Sequence, residues 1–316
     1  MKIARPAIAL AMTLLLGTVL APQHVRAADP LPLNLGVMPS DGTSEGFYAY
    51  DKGFFKAAGL DVKLTVMNNG AALTSALTSG DLDIAIASVG VVAMAHEHNL
   101  PMRFVAPSAV YTGPPDATVL MVPKDSTVKT GADLNNQIIA INGLKDLTQF
   151  TTSAWIDKNG GDVKTIKFVE IPFSEMATAL QNHRVAAALM VEPFYEAAKP
   201  IARVLGGASS AVAPKYLTMG WFATDGWSQK NAETVRRFRI AVQKAAVWAN
   251  AHPAETAAIL QEHSKLSADV LKTMIRAKFD TSGSVDPALV QPVIDTAAKY
   301  GSISKPFPAA EIIAPQ

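Results

Sequence analysis

The feature that most constrains this chain is its rhythm: short strand-like apolar runs alternate with helical patterns, and the alternation starts twice. In the first block, residues 33–38 read as a strand and 45–58 as a helix that Gly59 stops from the C′ position. Residues 61–67 alternate apolar and polar side chains with the two-residue period of a strand. Asn68-Asn69-Gly70 then opens a helix over 71–79 that ends at Gly80. A buried strand over 84–88, a helix over 91–98 and a strand over 102–110 complete the block. Strand–helix–strand alternation with short loops requires right-handed crossovers and a largely parallel sheet.

The pattern then restarts. Strands are predicted over 118–122, 138–141, 166–171 and 186–190, with helices over 126–134, 147–158 and 174–182 between them. Residues 216–224 form a last extended run. Beyond Trp227 only helical patterns remain, over 232–251, 253–262, 268–276 and 287–300. One local unit occurs in both blocks: Gly80-Asp81-Leu82-Asp83-Ile84-Ala85 and His183-Arg184-Val185-Ala186-Ala187-Ala188 each follow a helix and lead into a buried strand. The expectation is therefore α/β, with two lobes of one architecture. Lobe I is assigned residues 28–115 and 222–316, including the helical tail, and lobe II residues 116–221. The chain would cross between them near 110–120 and 216–224. A chain of 316 residues is ample for two such cores.

The N-terminus reads as an address. Lys2 and Arg5 precede an apolar run over 7–20, and Val25-Arg26-Ala27 carries small residues where a signal peptidase cuts, after Ala27 or Ala28. Residues 1–27 are thus assigned to a signal peptide. Its apolar run is short of the ~20 residues a membrane span needs. Removing this segment leaves 25 basic against 27 acidic side chains, a balance that points to neither nucleic acid nor an anionic membrane surface. The absence of cysteine excludes a lipid-anchored mature N-terminus, thiolate catalysis and Cys-ligated metal centres. The expected location is the periplasm.

Five segments, in order, carry a resemblance. They are Gly46-Phe47-Tyr48-Ala49-Tyr50-Asp51-Lys52-Gly53-Phe54-Phe55-Lys56, Gly59-Leu60-Asp61-Val62, Ser79-Gly80-Asp81-Leu82-Asp83-Ile84-Ala85, Val122-Pro123-Lys124-Asp125-Ser126 with Ala132-Asp133-Leu134, and Val191-Glu192-Pro193-Phe194. Together, over about residues 31–300, they resemble the nitrate/sulfonate/taurine-type substrate-binding proteins of ABC importers, which share a fold with pyrimidine-precursor-binding relatives. The resemblance implies a type II periplasmic binding protein fold, a monomer holding a small molecule between its lobes, and a permease with its ATPase as partners. It implies no cofactor, no metal and no catalysis; the pyrimidine-precursor synthases on this fold carry a Cys-rich segment that this chain lacks. An enzyme on the same fold is the runner-up class, and a sensory binding protein that docks on a membrane receptor is the third.

In open parallel α/β sheets, ligands sit beyond the carboxyl ends of the strands, where loops and helix N-termini present free N–H groups. On that rule Ser40 and Asp41 form one candidate loop, against the alternative of an ordinary N-cap cluster. Gly70 and Ala71 open one helix, and Ser88 and Gly90 another; the alternative is tight-turn chemistry. Asn142, Leu144, Lys145 and Thr148 follow a second-lobe strand, with Lys145 as a counter-charge for a carboxylate or sulfonate or as a solvated loop lysine. Glu192 faces the ligand or caps the next helix, and Trp221 walls the cleft or belongs to the core. Small sulfonates and carboxylates, aromatic acids included, are the first ligand class. Nitrogen heterocycles are the second, because Asp41 and Glu192 suit an N–H donor better than an anion. His96 and His98, two apart on a helix, point about 200° apart and cannot chelate together.

Overall fold

The computed structural model describes residue 1, residues 29–264 and residues 267–315. The signal-peptide assignment lies outside the described residues. Among these residues, no helix is long and apolar enough to cross a membrane.

The first lobe begins with β1 (Leu31–Val37), α1 (Glu45–Asp51), α2 (Phe54–Ala57), β2 (Leu60–Val66), α3 (Gly70–Ser79), β3 (Ile84–Ser88), α4 (Val89–Glu97) and β4 (Met102–Pro107). After β5 (Ala109–Tyr111) the second lobe follows: β6 (Thr118–Pro123), β7 (Ile138–Ile141), α5 (Leu147–Lys158), β8 (Lys167–Glu170), α6 (Phe173–Gln181), β9 (Ala187–Val191), α7 (Phe194–Ala198) and β10 (Ala202–Gly207). The chain returns through β11 (Tyr216–Leu217) and β12 (Met219–Thr224). It ends in α8 (Asp225–Lys230), α9 (Ala232–Ala251), α10 (Pro253–Ser264), α11 (Ala268–Thr273), β13 (Lys278–Phe279) and α12 (Pro287–Lys299).

The two five-stranded sheets have the orders β2-β1-β3-β12-β4 and β10-β6-β9-β7-β8, which are the same arrangement read in opposite directions. In each, three strands of one βαβαβ run are parallel. The fourth strand enters antiparallel from a crossing: β12 lies between β3 and β4, and β6 between β9 and β10. The central strand β3 is buried along its whole length, as expected for an apolar run covered on both faces.

Helix α9 packs on α1 and α2, so the tail covers one face of the first sheet. Phe47, Phe55, Trp221 and Phe238 share that core, and α3, α4 and α12 cover the other face around Leu73, Phe104 and Ile294. Met176, Leu180 and Met190 fill one side of the second sheet; Trp155, Ile156 and Leu189 fill the other.

Three expectations change. The helix over 45–58 is broken into α1 and α2, because Gly53 adopts a left-handed φ of 73° that ends one helix and redirects the next. The run 216–224 splits into β11 and β12, and β12 opens at Met219, so the return into the first sheet precedes residue 222. A third sheet, β11-β5-β13, lies at the crossings, where the C-terminal segment pairs its Lys278 and Phe279 with β5 in addition to the two expected connections.

Candidate functional site

The carboxyl ends of the parallel strands from both lobes face a common cavity of about 270 Å³. Its polar wall comes from the loops that follow those strands. Ser40 and Asp41 follow β1, Gly70 opens α3, and Ser88 closes β3. Asn142 follows β7, Thr148 lies in the first turn of α5, and Glu192 follows β9. The remaining wall is mostly apolar and aromatic, with Tyr111 and Tyr216 from the crossing strands and Phe173 and Phe194 from the second lobe.

Local sequence explains why these groups converge. Asn69, Ser88 and Asp146 are N-caps, and their side chains accept hydrogen bonds from Ala72 N (2.9 Å), Val91 N (3.1 Å) and Leu147 N respectively. Short polar side chains are chosen at these positions because they satisfy otherwise orphaned first-turn N–H groups. Three helix N-termini, those of α3, α4 and α5, therefore open toward the cavity.

Around the cavity the lobes meet along two seams. On one, Asp41 N donates to Glu192 O (3.1 Å), and Ile275 N donates to Glu192 Oε1 (2.8 Å). Thr273 Oγ1 also donates to Glu196 Oε1 (2.8 Å). Behind this seam, Arg276 binds Asp41 Oδ1 through Nη2 (2.8 Å) and Nε (3.1 Å), and donates to Tyr48 Oη (2.9 Å) and Pro253 O (2.7 Å). On the other seam, Ser88 Oγ donates to Asp146 Oδ1, and Leu147 and Phe150 join the apolar cluster of the first lobe. Gly90 permits that approach. A Cβ there would lie 2.8 Å from Phe150 Cε1, 2.9 Å from Leu147 N and 3.0 Å from Asp146 Oδ1.

Burial dominates the electrostatics of the acids. It pushes Glu192 up to about 7, against the pull of the Ile275 and Glu196 N–H groups, and nearby Glu196 and Asp41 push the same way. Burial also raises Asp146, against the hydrogen bonds from Ser88 and Leu147. Burial opposes the charge on Arg276, but Asp41 and Tyr48 more than offset it and hold the guanidinium charged. Glu45 lies behind the cavity in the core of the first lobe. Burial lifts it to about 8, although Trp221 Nε1 donates to its Oε2 at 2.6 Å. Thr151 Oγ1 lines the cavity, is buried, and has no hydrogen-bond partner among the described residues. An unmet buried hydroxyl costs roughly 1–3 kcal/mol, so this group is poised for a partner.

The structure brings Ser40, Asp41, Gly70, Ser88, Asn142, Thr148 and Glu192 to the cavity wall. It places the other candidates elsewhere. Ala71 is exposed on the outer side of the first turn of α3. Gly90 lies behind the wall, at the contact with Phe150. Leu144 is 46% exposed, and Lys145, which adopts a left-handed φ of 59°, is exposed too; neither lines the cavity. Its exposed position matches the solvated-loop reading of Lys145. Trp221 is fully buried in the core, held by Glu45 and packed where a Cβ on Gly46 would come within 2.8 Å of it. Sequence reasoning missed Tyr111, Phe173, Thr151 and Arg276. Arg276 stands 235 positions from Asp41, and no local pattern joins them.

The same fold occurs in solved structures. The alkanesulfonate-binding protein SsuA from Xanthomonas axonopodis pv. citri, bound to MOPS, is 18% identical, with a TM-score of 0.76 over 91% of this chain and 99% of that one. The periplasmic aliphatic sulphonate binding protein SsuA from Escherichia coli is 17% identical (TM-score 0.71, 91% and 93% covered). The periplasmic nitrate-binding protein NrtA from Synechocystis PCC 6803 is 14% identical (TM-score 0.72, 90% and 91% covered). The chain therefore has the periplasmic binding protein fold. No curated protein matches it by sequence. The family profile described as NMT1/THI5 like matches residues 44–256, well over half of the sequence, and the chain belongs to that family.

Proposed function

We propose that this chain is the periplasmic solute-binding component of an ABC importer, which captures a small ring-sized organic molecule by lobe closure and delivers it to a permease and its ATPase. The observation that carries this reading is the cavity itself. It lies at the strand carboxyl ends of both lobes, beside a crossing sheet, with hydrogen bonds across the seams on either side. A volume of about 270 Å³ fits a small organic molecule rather than a bare ion. The binding functions named for the SsuA and NrtA structures support the same reading. So does the expected signal peptide. Closure around a hinge sheet is how such a fold converts binding into a shape that a permease distinguishes.

Of the two ligand classes weighed from the sequence, the wall favours hydrogen-bond donors over anions. Lys145 is exposed and does not line the cavity, and Arg276 is already matched by Asp41. Aromatic side chains offer stacking surfaces, and the hydroxyls and carboxyl groups offer acceptors.

The test is a melting-temperature screen of the purified protein against small organic solutes, followed by scattering and uptake measurements. A ligand at ~100 times its Kd adds about 2.7 kcal/mol of stability. The expected result is a solute that raises the melting temperature, shrinks the radius of gyration, and is no longer imported when the gene is deleted. Chemical turnover of the bound solute, or uptake unchanged by the deletion, would overturn the proposal.

A further inference from the structure

A helix N-terminus carries roughly half a positive charge and several free N–H groups, so two such ends facing each other attract an anion. Helices α4 and α5, nine and twelve residues long, meet in this way across the cleft. The position between them is already filled. Asp146 Oδ1 accepts hydrogen bonds from Ser88 Oγ, the N-cap of α4, and from Leu147 N, the first residue of α5. It also lies 3.0 Å from where a Cβ on Gly90, in the first turn of α4, would stand.

We propose that Asp146 sets the specificity of the cleft: its carboxyl group occupies the anion position between α4 and α5, so the cavity takes uncharged ring compounds with N–H or O–H donors and excludes carboxylates and sulfonates. This deepens the solute-binding reading and rests on it.

Several independent observations agree. Asp146 lines the cavity, and its Oδ2 accepts no hydrogen bond from the described residues, which leaves an acceptor for a ligand donor. One turn along α5, the buried Thr151 hydroxyl also faces the cavity without a partner among the described residues. An incoming carboxylate would meet Asp146 instead of free helix N–H groups, with Glu192 also on the wall. The cations compensate only weakly, because one is already paired and the other is screened by solvent. Arg276 is held by Asp41, and Lys278 borders the cavity with an exposed side chain. A second negative charge within ~4 Å of a carboxylate lowers affinity by more than tenfold at protein-like dielectric.

The test compares the wild-type chain with D146S, in which serine keeps the N-cap and removes the acid. Benzoate, benzenesulfonate and benzamide are titrated calorimetrically into each. The expected result is that D146S binds the two anions at least tenfold more tightly than wild type does, while its affinity for benzamide falls. A smaller gain for the anions overturns the proposal, whether wild type binds them well or not at all. If D146S fails to fold, D146N keeps the size and the capping oxygen and is read by the same criterion. Loss of solute uptake on gene deletion is a separate measurement. An importer whose D146S variant shows no switch refutes this inference alone, and a switch without import refutes only the transport reading.

Discussion

The two seams beside the cavity are built differently. The seam at Glu192 is dense. Main-chain N–H groups of Asp41 and Ile275 cross it, and Arg276, Asp41 and Tyr48 form a buried network behind it. The segment that supplies Ile275 and Arg276 continues into β13, which pairs with β5 in the crossing sheet. The seam at Asp146 is thinner and is bonded through side chains: Ser88 to Asp146, Lys299 and Tyr300 to Asp157 at its exposed end, an apolar wedge at Phe150, and a glycine that makes room for the wedge. The difference teaches that one seam holds a geometry tied to the crossing sheet, while the other, on the proposed function, is where closure and ligand choice meet.

The strongest way to break this comparison is Asp41→Ala. It leaves Arg276, only 18% exposed at its side chain, without its counter-charge. Removing one partner of a buried pair costs about 3–5 kcal/mol, so chemical denaturation should show a loss of that size. A loss below ~1 kcal/mol would mean that the dense seam is not a buried network at all.

A pH series separates the seam from the core behind it. Glu192 and Glu45 are raised from 4.5 to about 7 and about 8. The folded chain therefore holds protons that the unfolded chain has released. Their contribution is fully present below pH 4.5 and is lost as pH rises, through about 7 for Glu192 and about 8 for Glu45. The decline should amount to roughly 3 kcal/mol or more in total. In Glu45→Gln the melting temperature should stop falling near pH 7; in Glu192→Gln the fall should continue to pH 8. Identical profiles in the two variants would contradict the assignment.

Gly90→Ala tests the thin seam. Alanine suits a helix interior, but its Cβ would meet buried Phe150 and the Leu147 main chain, so part of the seam's apolar packing is lost and stability should fall by about 1–3 kcal/mol. The added methyl should hold the lobes apart and weaken ligand binding by about 100-fold, near 2.7 kcal/mol, with the radius of gyration fixed at its larger value. Thr151→Val should have the smallest effect. Losing an unmatched hydroxyl leaves stability unchanged or raises it by up to about 1 kcal/mol, while ligand affinity falls several-fold in calorimetry. Unchanged affinity would remove Thr151 from the site.

The sequence was legible where function follows local chemistry. Strand ends and N-caps are written in short patterns, so Ser40, Ser88 and Asn142 could be placed at the cleft from the chain alone. It left two readings open where the outcome depends on the path of a loop, as at Lys145, or on which face of a strand is covered, as at Trp221. It was silent on Arg276 and the pairing of β13 with β5, because both join segments far apart in sequence. Asp146 illustrates the middle case. Its capping role is local, but its contact with Ser88 spans 58 positions and exists only when the lobes meet.

The exchange of strands between the sheets also sets an order of assembly. Sheet one needs β12 between β3 and β4, and β12 comes only after every strand of the second sheet. A chain emerging N-terminus first therefore presents β3 and β4 with unpaired edges until its second lobe has been delivered. Such edges invite aggregation. The lobe whose strands come first in the chain order is the one completed last, so its exposed strands are where a holding chaperone would act during synthesis.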